Sequence, residues 1–271
     1  MIVRAPATSA NLGSGFDCVG VALDLWNELE VSEGDGVVVE GEGAGELPAD
    51  ATNLAVRAYA RLSSPEGKRF RFVNRIPLER GLGSSAAAVA LGLAAAAPDA
   101  RVEELLPIGA DLEGHADNVA AALLGGVTLA WDGRAVRVAD TLPLRPLAVV
   151  PATRTSTAAS RDRLPATVPH ADAAFAAAHA ALLGASAASG DADLLAAALD
   201  DRLHEPYRPS AVLDDVRREL PPGARGATLS GSGPSVIVWA EDAAPCAAAL
   251  RSRFPDHDVL ELEISPRGAL A

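Results

Sequence analysis

Lysine is all but missing from this chain: Lys68 is its single representative, so any chemistry that needs an amine on the protein has one candidate. Cysteine is nearly as scarce. Cys18 and Cys246 lie far apart, without histidines at metal-ligand spacing, which argues against a disulfide framework or a zinc site and fits a reducing cytoplasm. Cationic charge is short overall, with 36 acidic residues against 23 basic ones and a net charge of −13. That leaves no surplus to neutralise a phosphate backbone or an anionic bilayer, so neither nucleic acid nor membrane is an expected partner. A leader with a charged start and an apolar stretch is missing too, and the alanine-rich run Ala86 to Ala97 is too short for a membrane span. The expectation is a soluble, unprocessed chain.

What is present is a chain of 271 residues, 49% of them hydrophobic, enough for one large core or two domains sharing a cleft. A boundary near Asp140 would give domains 1–140 and 141–271. Strands are predicted at Ile2 to Ala10, Val19 to Leu25, Leu29 to Val31, Gly36 to Val39 and Phe70 to Ile76, and a helix from Asn53 to Leu62 capped by Thr52 or Asn53. Helices follow at Ala86 to Ala97, Arg101 to Leu112 and Asp117 to Leu124, then strands at Val127 to Trp131, Ala135 to Val138 and Leu147 to Val150. Thr153 to Ser160 reads as a Ser/Thr-rich loop. The second half predicts helices at Ala171 to Ala188, Ala192 to Leu203, Val212 to Leu220 and Pro245 to Phe254, with strands at Ala227 to Ser230, Ser235 to Trp239 and Val259 to Ile264. Alternation of this kind suggests an α+β sandwich.

Three glycine-rich segments punctuate the chain. In Gly81-Leu82-Gly83-Ser84-Ser85, leading into an apolar helix, glycine lets the backbone approach a polyphosphate while the first helical N–H groups point at it unpaired. Ser84 and Ser85 stand where hydroxyls could reach phosphate oxygens or Mg²⁺. The segment lacks the lysine of a P-loop and the third glycine of a dinucleotide fold; its bland reading is a tight turn before an alanine-rich helix. Asn11 to Asp17 could aim an amide and a carboxylate at a small polar ligand, or be an Asn/Gly turn. Ser230-Gly231-Ser232-Gly233-Pro234 would also pass as an ordinary loop.

Glu113-Gly114-His115-Ala116-Asp117-Asn118 packs two carboxylates, an imidazole and an amide just before an apolar helix. Asp117 or Asn118 as an N-cap explains two of them, while Glu113 and His115 remain outside that account. Arg161 and Arg208 lie on predicted loops, and a guanidinium fork suits a carboxylate or phosphate, although most arginines in a chain do neither.

In this order and spacing the segments resemble the GHMP kinases, and within that family the members that phosphorylate the amino acid L-homoserine in threonine biosynthesis. The resemblance runs from Val3 to about Ile237. It is most specific in Val3-Arg4-Ala5-Pro6-Ala7-Thr8-Ser9-Ala10-Asn11-Leu12-Gly13, in Pro77-Leu78-Glu79-Arg80-Gly81-Leu82-Gly83-Ser84-Ser85-Ala86-Ala87, and in Glu113 to Val119. It implies an α+β, two-domain GHMP kinase fold, ribosomal-protein-S5-domain-2-like at the N-terminus and a ferredoxin-like sandwich at the C-terminus, with ATP and Mg²⁺ as cofactors and a homodimer as the assembly. By that resemblance Pro77 to Ala87 cradle the triphosphate, Ser84 or Ser85 with Glu113 hold Mg²⁺, and Asn53 lies near the adenine. The acceptor would sit against Asn11, Asp17, His115, Asp117 and Asn118, with Thr157, Arg161 and Arg208 reaching in from the second domain.

Phosphoryl transfer through a loose transition state needs alignment and charge neutralisation more than a base. Direct attack is therefore expected, with Asn11 or Asn118 orienting the hydroxyl; Lys68 lies outside every motif. Ser14 and Ala116 replace prolines usual in the family, which is expected to loosen both loops slightly. Rival readings are a GHMP kinase for another alcohol, such as mevalonate or shikimate, and a ligand-binding regulator of the same fold without turnover.

Overall fold

The computed structural model describes residues 1–155 and 157–270, with the side chains of 157 and 158 outside the description. Six strands form the first sheet: β1 (Ile2–Asn11), β2 (Gly15–Glu33), β3 (Gly36–Gly41), β4 (Lys68–Asn74), β5 (Val127–Trp131) and β6 (Arg134–Ala139). Their order is β3-β4-β2-β5-β6, with β1 also paired to β2. Where two separate strands are predicted, β2 runs unbroken for 19 residues. It is long enough to hold β1 along one edge and, on the other, β5 at Val19–Val21 and β4 at Glu28–Glu33. A register shift between Pro6 and Ala7 absorbs its bend, as a bulge does.

Helices α1 (Leu54–Ala60), α2 (Ser84–Ala96), α3 (Val102–Glu113) and α4 (Asp117–Leu124) complete this half. Asn53, not Thr52, caps α1, accepting from the Ala55 N–H. Alanine gives α2 a thin profile, and it lies buried almost all round among β1, α1, α3 and α4, as an apolar helix without a polar face must.

The second sheet, in the order β10-β7-β9-β8, joins β7 (Arg145–Val150), β8 (Ala224–Leu229), β9 (Val236–Ala240) and β10 (Asp258–Glu261). Helices α8 (Ala211–Arg218) and α9 (Ala243–Arg253) close a smaller core over it around Leu213, Val216, Cys246 and Leu250. Helices α6 (His170–Ser189) and α7 (Ala192–Ala198) pack on each other. Among the described residues, α6 is the one helix long and apolar enough to cross a membrane by length and composition, and only 17% of that window is buried.

Three further expectations are corrected. Part of the predicted Thr153–Ser160 loop is a short helix, α5 (Thr157–Arg161). The predicted helix to Leu203 stops at Ala198, because the Asp201 carboxylate accepts the N–H groups of Leu203, His204 and Glu205 and offers that backbone an alternative to the helix. The last strand ends at Glu261, and Ile264 makes an isolated bridge to Leu23 of the first sheet.

Candidate active site

A cleft of about 530 Å³ opens between the two sheets' loops, lined by the 78–86 segment, by Asn11, Asp17 and Asn53, by Glu113, His115, Asp117 and Asn118, and by Arg161 and Arg208. The predicted phosphate loop forms one wall. Gly81 and Gly83 both take positive φ, 77° and 67°, and each is crowded. A Cβ on Gly83 would overlap the Thr8 hydroxyl, and one on Gly81 would meet the carbonyls of Ser230 and Gly233. Glycine is thus required twice, where the loop touches β1 and where it touches the third glycine segment. The Ser230 hydroxyl donates to the Gly81 carbonyl at 2.6 Å, the Ser235 N–H to the Arg80 carbonyl at 3.3 Å and the Thr155 N–H to the Glu79 carbonyl at 3.0 Å. The Arg80 guanidinium reaches the Ala152 carbonyl at 3.1 Å.

The loop ends at the N-terminus of α2, with Gly83 as the cap. The first-turn N–H groups there have no acceptor within the helix, and with the helix dipole they favour an anion. Two of the predicted loop contacts face elsewhere: Pro77 is half-buried off the cleft wall, and Ala87 is packed wholly in the core, since the helical turn carries its side chain away from the loop.

Beside that helix end the Ser85 hydroxyl donates a short hydrogen bond to Glu113, the last residue of α3. Burial pushes the Glu113 carboxyl above its ordinary range, against the pull of the Ser85 hydroxyl and His115. His115 Nδ1 lies 2.9 Å from the Asp117 carboxylate. Burial pulls the imidazole down, but the Asp117 hydrogen bond and the charges of Asp117 and Glu113 carry it above its usual value overall. Asp117 is no N-cap: it is the first residue of α4, whose cap is Ala116 without a side-chain bond. Its Oδ1 accepts the Asn118 N–H at 2.7 Å. Asn118 Oδ1 accepts in turn from Thr8, at 2.6 Å, a partner with no signal in the sequence beyond its place in the opening segment.

The Asn11–Asp17 segment contributes Asn11 and Asp17 to the cleft lining. Asn11, Leu12 and Asp17 all have positive φ, and such backbone persists only where its surroundings over-determine it. Here the Asn11 amide is committed at both ends, donating to the Gly231 carbonyl at 3.0 Å and accepting the Asp17 N–H at 3.0 Å. Ser14 does not loosen the loop; its buried hydroxyl donates to the Ala198 carbonyl at 3.0 Å. From the second half, Arg161 meets Asp17, and Arg208, 5% exposed, donates to the Gly231 carbonyl at 3.2 Å. Thr157 opens α5, and its side chain lies outside the described residues. Asn53, Leu47, Phe72 and Leu78 also line the cleft. Lys68 is absent from the cleft lining and pairs with Glu33 at 2.6 Å.

The family models for the GHMP kinases N terminal domain and the GHMP kinases C terminal match residues 52–126 and 174–256. The homoserine kinase of Gloeobacter violaceus is 45% identical, covering 93% of this chain and 90% of its own length. The chain belongs to the GHMP kinases. That of Leifsonia xyli is 43% identical over 92% of this GHMP kinase and 83% of its own length. The crystal structure of homoserine kinase from Cytophaga hutchinsonii superposes with a TM-score of 0.85 at 28% identity, covering 98% and 96% of the two chains. Mevalonate kinase of Methanococcus jannaschii, at 15% identity and a TM-score of 0.69, shares the fold alone. Membership implies ATP as the phosphoryl donor and a small molecule as the acceptor.

Proposed function

We propose that this GHMP kinase transfers the γ-phosphoryl group of ATP to the side-chain hydroxyl of L-homoserine, giving O-phospho-L-homoserine for threonine biosynthesis. The observation that carries this reading is the charge layout of one cleft: a helix end suited to an anion shares it with Asp17, Arg161 and Arg208, which suit the ammonium and carboxylate of an amino acid. Relatives named homoserine kinase, alike over nearly the full chain, support the same substrate.

In this reading the 78–86 backbone and the α2 N-terminus hold the triphosphate, and the pocket of Leu47, Phe72 and Leu78 beside Asn53 takes the adenine. Mg²⁺ fits the Ser85–Glu113 pair: two hard oxygens beside the phosphate site, one of them a desolvated carboxylate that a cation would relieve. One carboxylate plus phosphate oxygens is the usual protein share for Mg²⁺. Bound there, the ion would neutralise phosphoryl charge. Asn11 or Asn118, each amide held at both ends and each lining the cleft, would align the acceptor hydroxyl, with Thr8 and Asp117 bracing Asn118. No residue is assigned as a strong base. Homodimeric assembly and a cytoplasmic setting belong to the same reading.

The deciding experiment is ATP- and Mg²⁺-dependent phosphorylation across L-homoserine, mevalonate, shikimate and a hexose. Clear preference for L-homoserine is expected. Strong turnover of another alcohol, or none at all, would replace this reading by one of its rivals.

A further inference from the structure

Arg208 is held by a residue that no motif reading assigns a role. The guanidinium has only donors, so where Arg208 Nη1 lies 3.0 Å from His204 Nδ1, that ring nitrogen must be bare and accepting. The proton then sits on Nε2, which donates to the Gly13 carbonyl at 3.0 Å. Each bond fixes the other, and together they assign the tautomer. The ring is wholly buried and stacks on Phe16 at 5.0 Å between centroids. His204 therefore clamps the Asn11–Asp17 loop and Arg208 to each other.

The consequence lies at the guanidinium. Nη1 carries two protons and gives one to His204 and the other to the Gly231 carbonyl. Nε is buried with no protein partner among the described residues. With Nη1 occupied and Nε sealed in the interior, Nη2 is the nitrogen left for a carboxylate, and His204 decides that orientation. Its own backbone is pinned by Asp201, whose carboxylate accepts the His204 N–H at 2.7 Å, and by Glu205, which accepts from Leu229 N–H and from Arg217.

We propose that His204 is a positioning residue for the acceptor: it turns Arg208 so that Nη2 receives the substrate carboxylate, and ties the Asn11–Asp17 segment to the same frame. The inference rests on the reading of Arg208 as a carboxylate anchor. A neutral ring is what this role needs. Burial, with Arg208 beside it and against the pull of Asp201 and Asp17, holds the imidazole down at about 4.

Three substitutions separate positioning from packing. In His204→Asn the amide oxygen stands near the Nδ1 position and can still accept from Arg208; His204→Gln reaches toward Gly13 but loses that acceptor; His204→Phe keeps the ring and loses both bonds. The KM for L-homoserine is expected to rise about 10-fold to 100-fold in the Gln and Phe variants, the range for losing a hydrogen bond to a charged group. It should stay within roughly 3-fold of the parent in the Asn variant, with the KM for ATP unchanged in all three. Equal effects of Asn and Phe, or an unchanged KM throughout, would overturn the proposal. If Arg208→Ala raises that KM while the His204 variants do not, only this inference fails; if Arg208→Ala leaves it unchanged, the reading of the acceptor pocket fails as well. A measurement that needs no variant is ¹⁵N NMR of the histidine-labelled protein, where His204 should show the Nε2–H tautomer at neutral pH. A protonated Nδ1 would refute the clamp.

Discussion

Asp17, near the start of β2, and Arg161, at the end of α5, meet through two hydrogen bonds, Nη1 to Oδ2 at 3.0 Å and Nη2 to Oδ1 at 2.6 Å. Both side chains are over a third exposed, where such a pair contributes about 0–1 kcal/mol to stability. Its value lies in what it presents. An arriving amino acid can exchange partners with it, ammonium for guanidinium on Asp17 and carboxylate for carboxylate on Arg161.

Asp17→Asn tests that exchange. The KM for L-homoserine should rise about 10-fold to 100-fold, while 4-hydroxybutyrate, which lacks the amino group, should lose little. The ratio of the two kcat/KM values is the measurement. An unchanged ratio would remove Asp17 from the ammonium site.

Glu113→Gln should lower kcat by on the order of 100-fold or more, the scale of losing charge stabilisation from a metal, with ATP affinity much less affected. Burial raises the Glu113 carboxyl, so Mg²⁺ held there, as proposed, would compete with a proton. The Mg²⁺ concentration for half-maximal rate should therefore rise as pH falls in the parent, and depend less on pH in Glu113→Gln.

Gly83→Ala and Gly45→Ala form a matched pair. Both glycines have positive φ, 67° and 77°, so both variants incur backbone strain of about 1 kcal/mol. Only at Gly83 does the new methyl run into Thr8; at Gly45 it meets nothing within 4 Å. Gly83→Ala should lower Tm further and weaken ATP binding, and Gly45→Ala should leave ATP binding intact. Equal behaviour in calorimetry and nucleotide titration would show that the loop tolerates displacement from β1.

Glu205 gives a pH signature. Burial pushes its carboxyl up to about 7, against Arg217 and the Leu229 N–H, whereas an unfolded glutamate titrates near about 4.3. Between those values the folded state binds the extra proton, so this residue's contribution to stability is fully present below about 4.3, falls as pH rises through about 7, and levels off above. The parent should lose several degrees of Tm relative to Glu205→Gln between about pH 5 and about pH 8. Parallel curves would contradict the raised value.

Much of the cleft is legible along the chain because its parts are contiguous. A glycine pair before an alanine-rich run announces a loop that closes on a helix end, and Glu113 to Asn118 sit within six residues. Other elements were not legible for equally local reasons. The continuous β2 depends on β4 and β5 sharing one edge, and the early end of α7 depends on a single Asp201 carboxylate outcompeting helical hydrogen bonds over a stretch whose composition still favours helix. His204 opens the family-like segment His204-Glu205-Pro206-Tyr207-Arg208, but no role for it was legible there, because its significance is two bonds to residues 191 and 4 positions away.

The residue order alone determined that this chain has a glycine turn before an alanine-rich helix, a charged block from Glu113 to Asn118, and an arginine supply in place of lysine, because those depend on residue type and short spacing. Tertiary structure decided which of them work together. It set Ser85 rather than Ser84 on Glu113, tied Asn11 to Gly231 and Asn118 to Thr8, and joined Arg208 to Gly13 through His204. Hydrogen-bond partners far apart in the chain are chosen by how the two sheets' loops meet, and no local pattern encodes that meeting.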